Sequence, residues 1–191
     1  MSRLLFIRHA KTDLAGTFCG YSDPPVNTSG CEQIRDLVAR LGSERIDAIY
    51  SSDLRRATTT ARALGNRFQI PVKTSHRLRE IYFGDWEGLT WAQIEAIDPL
   101  FARRWSEAFP ALPTPGGETY AVFQERVLDE VGRLVHIGED ELIAVVTHGG
   151  VMRVVLQELF GYSRERTWEL TDPYCCSFLF AGNITARSVS Q

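Results

Sequence analysis

The sequence predicts an α/β protein built on a mostly parallel sheet with helices on both faces. Three observations carry that reading. Apolar runs of strand length occur at Leu4–Ile7 and Leu142–Val146, and the second is unbroken, as in strands buried on both faces. Strand-like and helix-like patterns alternate from Leu4 to Thr74, which is how parallel strands and their crossover helices read in a sequence. The third is size: 191 residues with 44% hydrophobic content can bury one sizeable core. We therefore expect a single domain over 1–191.

The elements follow in order. The first strand stops abruptly at Arg8 and His9. A polar loop from Thr12 to Gly30 holds Gly16, Gly20, Pro24, Pro25 and Asn27, and loops of that length are usually functional. Ser29-Gly-Cys-Glu32 has the form of a capping box, opening a helix with Ile34, Leu37, Val38 and Leu41 on its apolar face. Ile46–Tyr50 reads as the second strand, ending in Ser51-Ser52-Asp53. A helix from about Leu54 puts Ala57, Ala61 and Leu64 on one side. Its first turn carries Arg55 and Arg56, cations that oppose the helix dipole unless solvated or serving a bound anion. Arg55 is the better surface candidate. Pro71–Thr74 is the third strand.

From Leu78 to Pro115 the pattern loosens. Glu80 and Gly84–Gly88 read as loop, with the acidic side chains Asp85 and Glu87 expected in solvent. Trp91–Ile97 and Leu100–Phe109 read as amphipathic helices, closed by the Pro-rich Pro110–Gly117. We expect a helical lid insertion at about 78–117. A long helix from Glu118 then turns Phe123, Val127, Val131 and Leu134 inward. The strand Leu142–Val146 ends in Thr147-His148-Gly149-Gly150 and passes into a helix with Val151, Val154, Val155 and Leu159. Cys176–Phe180 and Ile184–Val189, joined around Gly182-Asn183, read as an edge hairpin.

Composition narrows the partners. A net charge of -3 argues against a nucleic-acid binder working by bulk charge. No apolar run approaches membrane-spanning length, and charge returns at Arg8 too early for a signal peptide. A cytoplasmic protein is expected, with no nucleic-acid or membrane partner, as a monomer or homodimer. Cys19, Cys31, Cys175 and Cys176 lack metal-knuckle spacing and read as free thiols. No metal site and no cofactor are expected.

Two strands end in a histidine: Ile7-Arg8-His9 and Val146-Thr147-His148. In an open α/β sheet, ligands bind in the crevice outside the carboxyl ends of the strands. In one parallel sheet both imidazoles emerge at that edge. Arg56, just after another strand, joins them. Gly149 and Gly150 open a helix whose N-terminus suits an anion. Two histidines, two arginines and a helix N-terminus describe a pocket for a phosphate dianion. Neutral imidazole is a good nucleophile near neutral pH, so His9 can attack phosphorus and divide one hard displacement into two. Arginines would offset the charge on the non-bridging oxygens, and a carboxylic acid must protonate the leaving alkoxide.

Arg8-His9-Ala10, Ser51-Ser52-Asp-Leu-Arg-Arg56-Ala57, Leu78-Arg-Glu80, Gly84-Asp-Trp86-Glu-Gly88, Pro115-Gly-Gly-Glu118-Thr119 and Thr147-His148-Gly149 occur in one order along the chain. That order resembles the histidine phosphatase superfamily, the phosphoglycerate-mutase-like group. The resemblance implies a Rossmann-like α/β/α sandwich, His9 as nucleophile, Arg8, Arg56 and His148 as the phosphate pocket, and Glu80 as proton donor. Ala10 stands where the family commonly has glycine, and Lys11 where an acidic residue is frequent. Loop contacts to phosphate are therefore assigned only to Thr17 and Ser22. Phe18-Cys-Gly-Tyr-Ser-Asp23-Pro-Pro resembles the adenosylcobalamin/α-ribazole phosphatases, which act in cobalamin nucleotide-loop assembly. The expected activity is metal-independent hydrolysis of a small-molecule phosphomonoester, with α-ribazole phosphate the preferred substrate. Mutase-type phosphotransfer and sugar-phosphate hydrolysis are the alternatives within the family. A non-catalytic phosphate-binding module is the alternative from another class.

Overall fold

The computed structural model describes residues 3–137 and 140–182. Among them, β1 (Arg3–Arg8), β2 (Ala48–Ser52), β3 (Val72–Ser75), β4 (Leu142–Thr147) and β5 (Ser177–Ala181) form one sheet in the order β3-β2-β4-β1-β5. The first four strands run parallel, and β5 pairs antiparallel with β1. The helices are α1 (Thr28–Arg40), α2 (Arg55–Phe68), α3 (Trp91–Ile97), α4 (Pro99–Ala108), α5 (Tyr120–Ile137), α6 (Gly149–Phe160) and α7 (Arg164–Thr171). None of them is long and apolar enough to cross a membrane.

The unbroken apolar strands are explained by a core on each side of the sheet. Leu4 and Phe6 of β1, with Ile143 and Val145 of β4, pack against Phe123, Val127 and Val131 of α5 and Met152 and Val155 of α6. The intervening Leu5, Ile7, Ala144 and Val146 pack against Ile34 and Leu37 of α1 and Ala57, Ala61 and Leu64 of α2. Alternate side chains of a strand point to opposite faces, so a strand covered on both faces must be apolar throughout. Each fully buried aliphatic of this kind contributes about 1.5–3 kcal/mol. A third cluster gathers Trp86, Ile94 and Ala102 with Phe18, Trp91 and Trp105, and its Phe18 and Trp91 share a cavity with Arg8 and His9 at the end of β1.

Several boundaries differ from expectation, each for a local reason. Helix α1 starts after Asn27, whose side chain accepts from Gly30 N at 2.9 Å. Ser29 and Glu32, read as a capping box, are exposed helix positions. The box motif is realised instead at Thr90 and Gln93, opening α3. Helix α5 starts at Tyr120, two residues after Glu118, because Glu118 is held by Arg126 at 2.7 Å and its backbone N–H donates to Tyr82 O. Strand β2 is shifted two residues later than Ile46–Tyr50. Helix α7 was unexpected, since Arg164–Thr171 is polar apart from Trp168 and Leu170, which form no apolar stripe to read. The second strand of the expected edge hairpin, Ile184–Val189, lies outside the described residues.

Candidate active site

The register of the central strands builds the site. Arg8 of β1 sits opposite Thr147 of β4, so the next residues, His9 and His148, leave the sheet side by side at its carboxyl edge. His9 N donates to Thr147 O at 2.9 Å, and the two rings lie 5.0 Å apart between centroids. Strand β2, on the other side of β4, ends in Ser52, whose Oγ pairs with His148 Nε2 at 2.8 Å. His148 Nδ1 is buried and has no partner among the described residues.

The tautomer of His9 follows from its neighbours. Nδ1 lies 2.7 Å from Ala10 O, a group that can only accept, so Nδ1 carries the proton and Nε2 the lone pair. Arg56 Nε donates to that Nε2 at 3.3 Å. Burial, then the Arg56 charge and more weakly Arg8, hold the His9 pKa well below its ordinary value, against a smaller opposing pull from the Ala10 carbonyl. Burial, followed by Arg56 and His9, does the same to His148. Both rings are therefore neutral at pH 7. Ala10 causes no strain: it is fully buried, its N–H donates to Thr60 Oγ1, and it is not among the residues with positive φ.

The arginines are placed differently from one another. Arg56 is fully buried, with Nη1 donating to Ser22 O and Nη2 to Gly20 O and Cys19 O. No carboxylate forms an ion pair with it among the described residues. Arg55 is exposed, as expected, and its backbone N–H is taken by Asp23. Arg8 donates Nη1 to Thr171 O at 2.8 Å and to Asp172 O, and lies 4.0 Å over the Tyr174 ring. Its Nε is buried and has no partner among the described residues.

A cavity of about 290 Å³ opens above His9, lined among others by Arg8, Thr17, Glu80, Gly149 and Arg153. Glu80 Oε2 accepts from Gly150 N at 2.8 Å and Oε1 from Ile81 N at 2.9 Å, so the first turn of α6 is tied to this carboxylate. A Cβ on Gly150 would displace the Glu80 carboxylate from this position. The structure thus brings Arg8, His9, Thr17, Glu80 and Gly149 to one cavity, with Arg56 and His148 packed against His9 behind it. Thr17 spends its hydroxyl proton on Leu14 O. Ser22 does not line the cavity; its hydroxyl donates to Glu87.

Glu87 and Arg153 were missed. Glu87 is not a solvated charge: its carboxylate accepts from the backbone N–H groups of Gly20, Tyr21, Ser22 and Phe83. It thereby fixes the loop whose carbonyls hold Arg56. Arg153 stacks on Trp168 at 3.3 Å, donates Nε to Thr171 Oγ1, and is pushed down to about 10 chiefly by burial. Its position one helical turn after Gly149 was the available signal. Among the described residues no cluster of three or more His, Cys, Asp or Glu is arranged to hold a metal ion.

A parallel sheet that delivers paired neutral histidines and unpaired arginines to one edge defines an α/β enzyme with an anion-binding centre. The chain belongs to the histidine phosphatase superfamily (branch 1), whose family model matches residues 4–182, and it is a phosphatase of that family. It is 32% identical over 179 residues to the adenosylcobalamin/alpha-ribazole phosphatase of Escherichia coli K12, spanning 92% of this chain and 88% of that one. It is 34% identical over 168 residues to the glucosyl-3-phosphoglycerate phosphatase of Mycolicibacterium vanbaalenii, spanning 83% and 74%. The alpha-ribazole phosphatase of Shigella flexneri superposes with a TM-score of 0.85 at 28% identity, covering 95% of this chain and 91% of that one.

Proposed function

We propose that this phosphatase hydrolyses a small-molecule phosphomonoester in the cytoplasm through a phosphohistidine on His9, and that the ester is α-ribazole 5′-phosphate. One observation carries the chemistry. Beside the neutral His9 stand two buried polar atoms without partners, Arg8 Nε and His148 Nδ1. Buried polar groups are normally satisfied, so such orphans ask for a ligand. A phosphate oxygen supplies the acceptor for both, with His148 protonated at Nδ1 and Ser52 Oγ–H donating to Nε2.

In this reading a bond forms between His9 Nε2 and phosphorus while the ester P–O bond breaks, and Glu80 gives its proton to the leaving alkoxide. Water, deprotonated by Glu80, then attacks phosphorus, and the N–P bond breaks to release inorganic phosphate and neutral His9. Arg8 and Arg56 oppose the charge on the transferring group. No metal or cofactor has a step. The choice of α-ribazole phosphate is supported by the E. coli relative and by the Phe18–Pro25 loop. The similarity to the glucosyl-3-phosphoglycerate phosphatase supports a sugar-phosphate ester as the second reading.

A phosphate-release screen over α-ribazole 5′-phosphate, glucosyl-3-phosphoglycerate and phosphoglycerates tests both, with the first expected to give the highest kcat/KM. Isomer formation in place of free phosphate would identify mutase chemistry, and silence across the panel a binding module. His9→Ala should abolish turnover and acid-labile phosphoenzyme labelling; label on another residue removes the assignment. Glu80→Gln should slow alkyl esters by about 10²–10⁴ and aryl esters far less. Equal slowing of both would exclude Glu80 as the acid.

A further inference from the structure

We propose that a second cavity beside the phosphate pocket selects a leaving group bearing a flat aromatic ring, and that Arg153 at the junction is a specificity-determining residue. The proposal rests on the phosphomonoesterase reading and names the substrate class of that same site. The second cavity has about 460 Å³, within the ~300–1,000 Å³ range of small-molecule sites. It shares Phe18, Glu80, Phe83, Arg153 and Trp168 with the phosphate cavity, so the two meet at Glu80, where the leaving oxygen must collect its proton. Whatever that oxygen is attached to has this space to extend into.

The walls decide what fits. Besides the shared residues, Trp105, Phe109, Tyr120 and Phe123 line the cavity, contributed by α4, the residue after it, and α5. Aromatic rings attract another ring by burial and by offset or edge-to-face packing. Against the same walls, the hydroxyls of a second sugar would lose water and find few partners. Trp105 Nε1 is buried with no partner among the described residues, which adds a donor that a ligand or water can satisfy. The charged groups at the cavity are Glu80, Arg153 and Arg164, and Arg164, an exposed side chain, donates Nη1 to the Phe109 carbonyl and lies 5.1 Å from its ring.

The lining also holds Ser106, Tyr120 and Gln157, of which Tyr120 donates to Gln157 Oε1 and Gln157 Nε2 to Thr167 Oγ1; Arg153 is the cation left at the junction. It has no ion pair among the described residues, and its terminal nitrogens make no hydrogen bond there; only Nε is used. Stacking on Trp168 holds the guanidinium plane in place at the junction. Its terminal N–H groups are free to donate to the oxygens of a ligand at the junction. Its place, between the phosphorus site and an aromatic chamber, suits the ribose oxygens that join an ester phosphate to a ring. The class is therefore a nucleoside-like monoester.

The test compares two esters with the same primary alkoxide leaving group, α-ribazole 5′-phosphate and ribose 5-phosphate, which differ at C1′, where the first carries the ring and the second a hydroxyl. The expected kcat/KM ratio is at least 100 in favour of the ring-bearing ester. Phe109→Ala should narrow that ratio at least ten-fold. Arg153→Met, which keeps a stem over Trp168, should raise KM for α-ribazole 5′-phosphate at least ten-fold with a smaller change in kcat. Calorimetry with the free nucleoside α-ribazole should show binding to the wild type that Phe109→Ala weakens. Equal kcat/KM for the two esters, or a ratio untouched by Phe109→Ala, overturns the proposal while the phosphomonoesterase reading stands. Failure of every ester to release phosphate overturns that reading, and the proposal with it.

Discussion

Glu87 shows how a single side chain can organise a site it never enters. Four backbone N–H groups and one hydroxyl converge on its carboxylate, and the loop they fix presents Gly20 O and Ser22 O to Arg56, which in turn holds His9 Nε2. Glu87→Gln puts an amide NH₂ where these donors require an acceptor. Hydrogen bonds to charged groups are worth about 1.5–3 kcal/mol, and net losses of about 2–3 kcal/mol are expected here. For a chain of this size that is a fall in melting temperature of about 4–12 °C. The rate of the proposed phosphoenzyme formation on His9 should fall as well, because Arg56 and His9 lose their support. A variant that melts and labels like the wild type would show that the loop is held by other means. The histidines were legible because strand ends are marked by where an apolar run stops. Glu87 was not, since accepting from backbone N–H groups of a distant loop leaves no spacing in the sequence.

At the level of elements, periodicity recovered what packs by periodicity. The apolar faces of α1, α2, α5 and α6 were all readable because each meets the sheet along a stripe. Helix α7 was not, yet its last residue and the one following supply the carbonyls that bind Arg8, and its Trp168 carries Arg153. It is short, polar and held by tertiary contacts, so no local pattern announces it. The start of α1 illustrates a competition between motifs. Ser29 has the spacing of a cap, but Asn27 lies two residues earlier in extended conformation and reaches Gly30 N first. Asn27 also donates to Asp13, so it ties the long loop to the helix. Asn27→Ala should therefore cost about 0.5–2 kcal/mol in denaturant unfolding. Ser29→Ala, on an exposed helix position, should stay within about 0.5 kcal/mol. If the two costs came out reversed, the cap would belong to Ser29.

On the scale of the whole molecule, the sheet that stabilises the protein also buries the two imidazoles, which couples folding to pH. Both have folded pKa values well below the ordinary one, from burial first and the neighbouring arginines second. In the unfolded chain they titrate near 6.5. Between the folded value and about 6.5 the unfolded chain holds up to two more protons than the native one, so native stability falls as pH falls through this window. The slope approaches about 1.4 kcal/mol per pH unit for each histidine, about 2.7 for the pair. Above the window both states carry neutral rings and the contribution is constant. The carboxylate of Asp53, which Arg79 holds below its usual value, loses its contribution only under more acidic conditions. Urea unfolding at pH steps from 7.5 to 5 should show the loss, and His148→Gln should remove about half of the slope. Saturating phosphate should flatten it further, because an anion between the rings favours their charged forms. A stability flat in pH over that interval would mean that the rings are solvated in the native state, and the neutral nucleophile proposed for His9 would lose its physical basis.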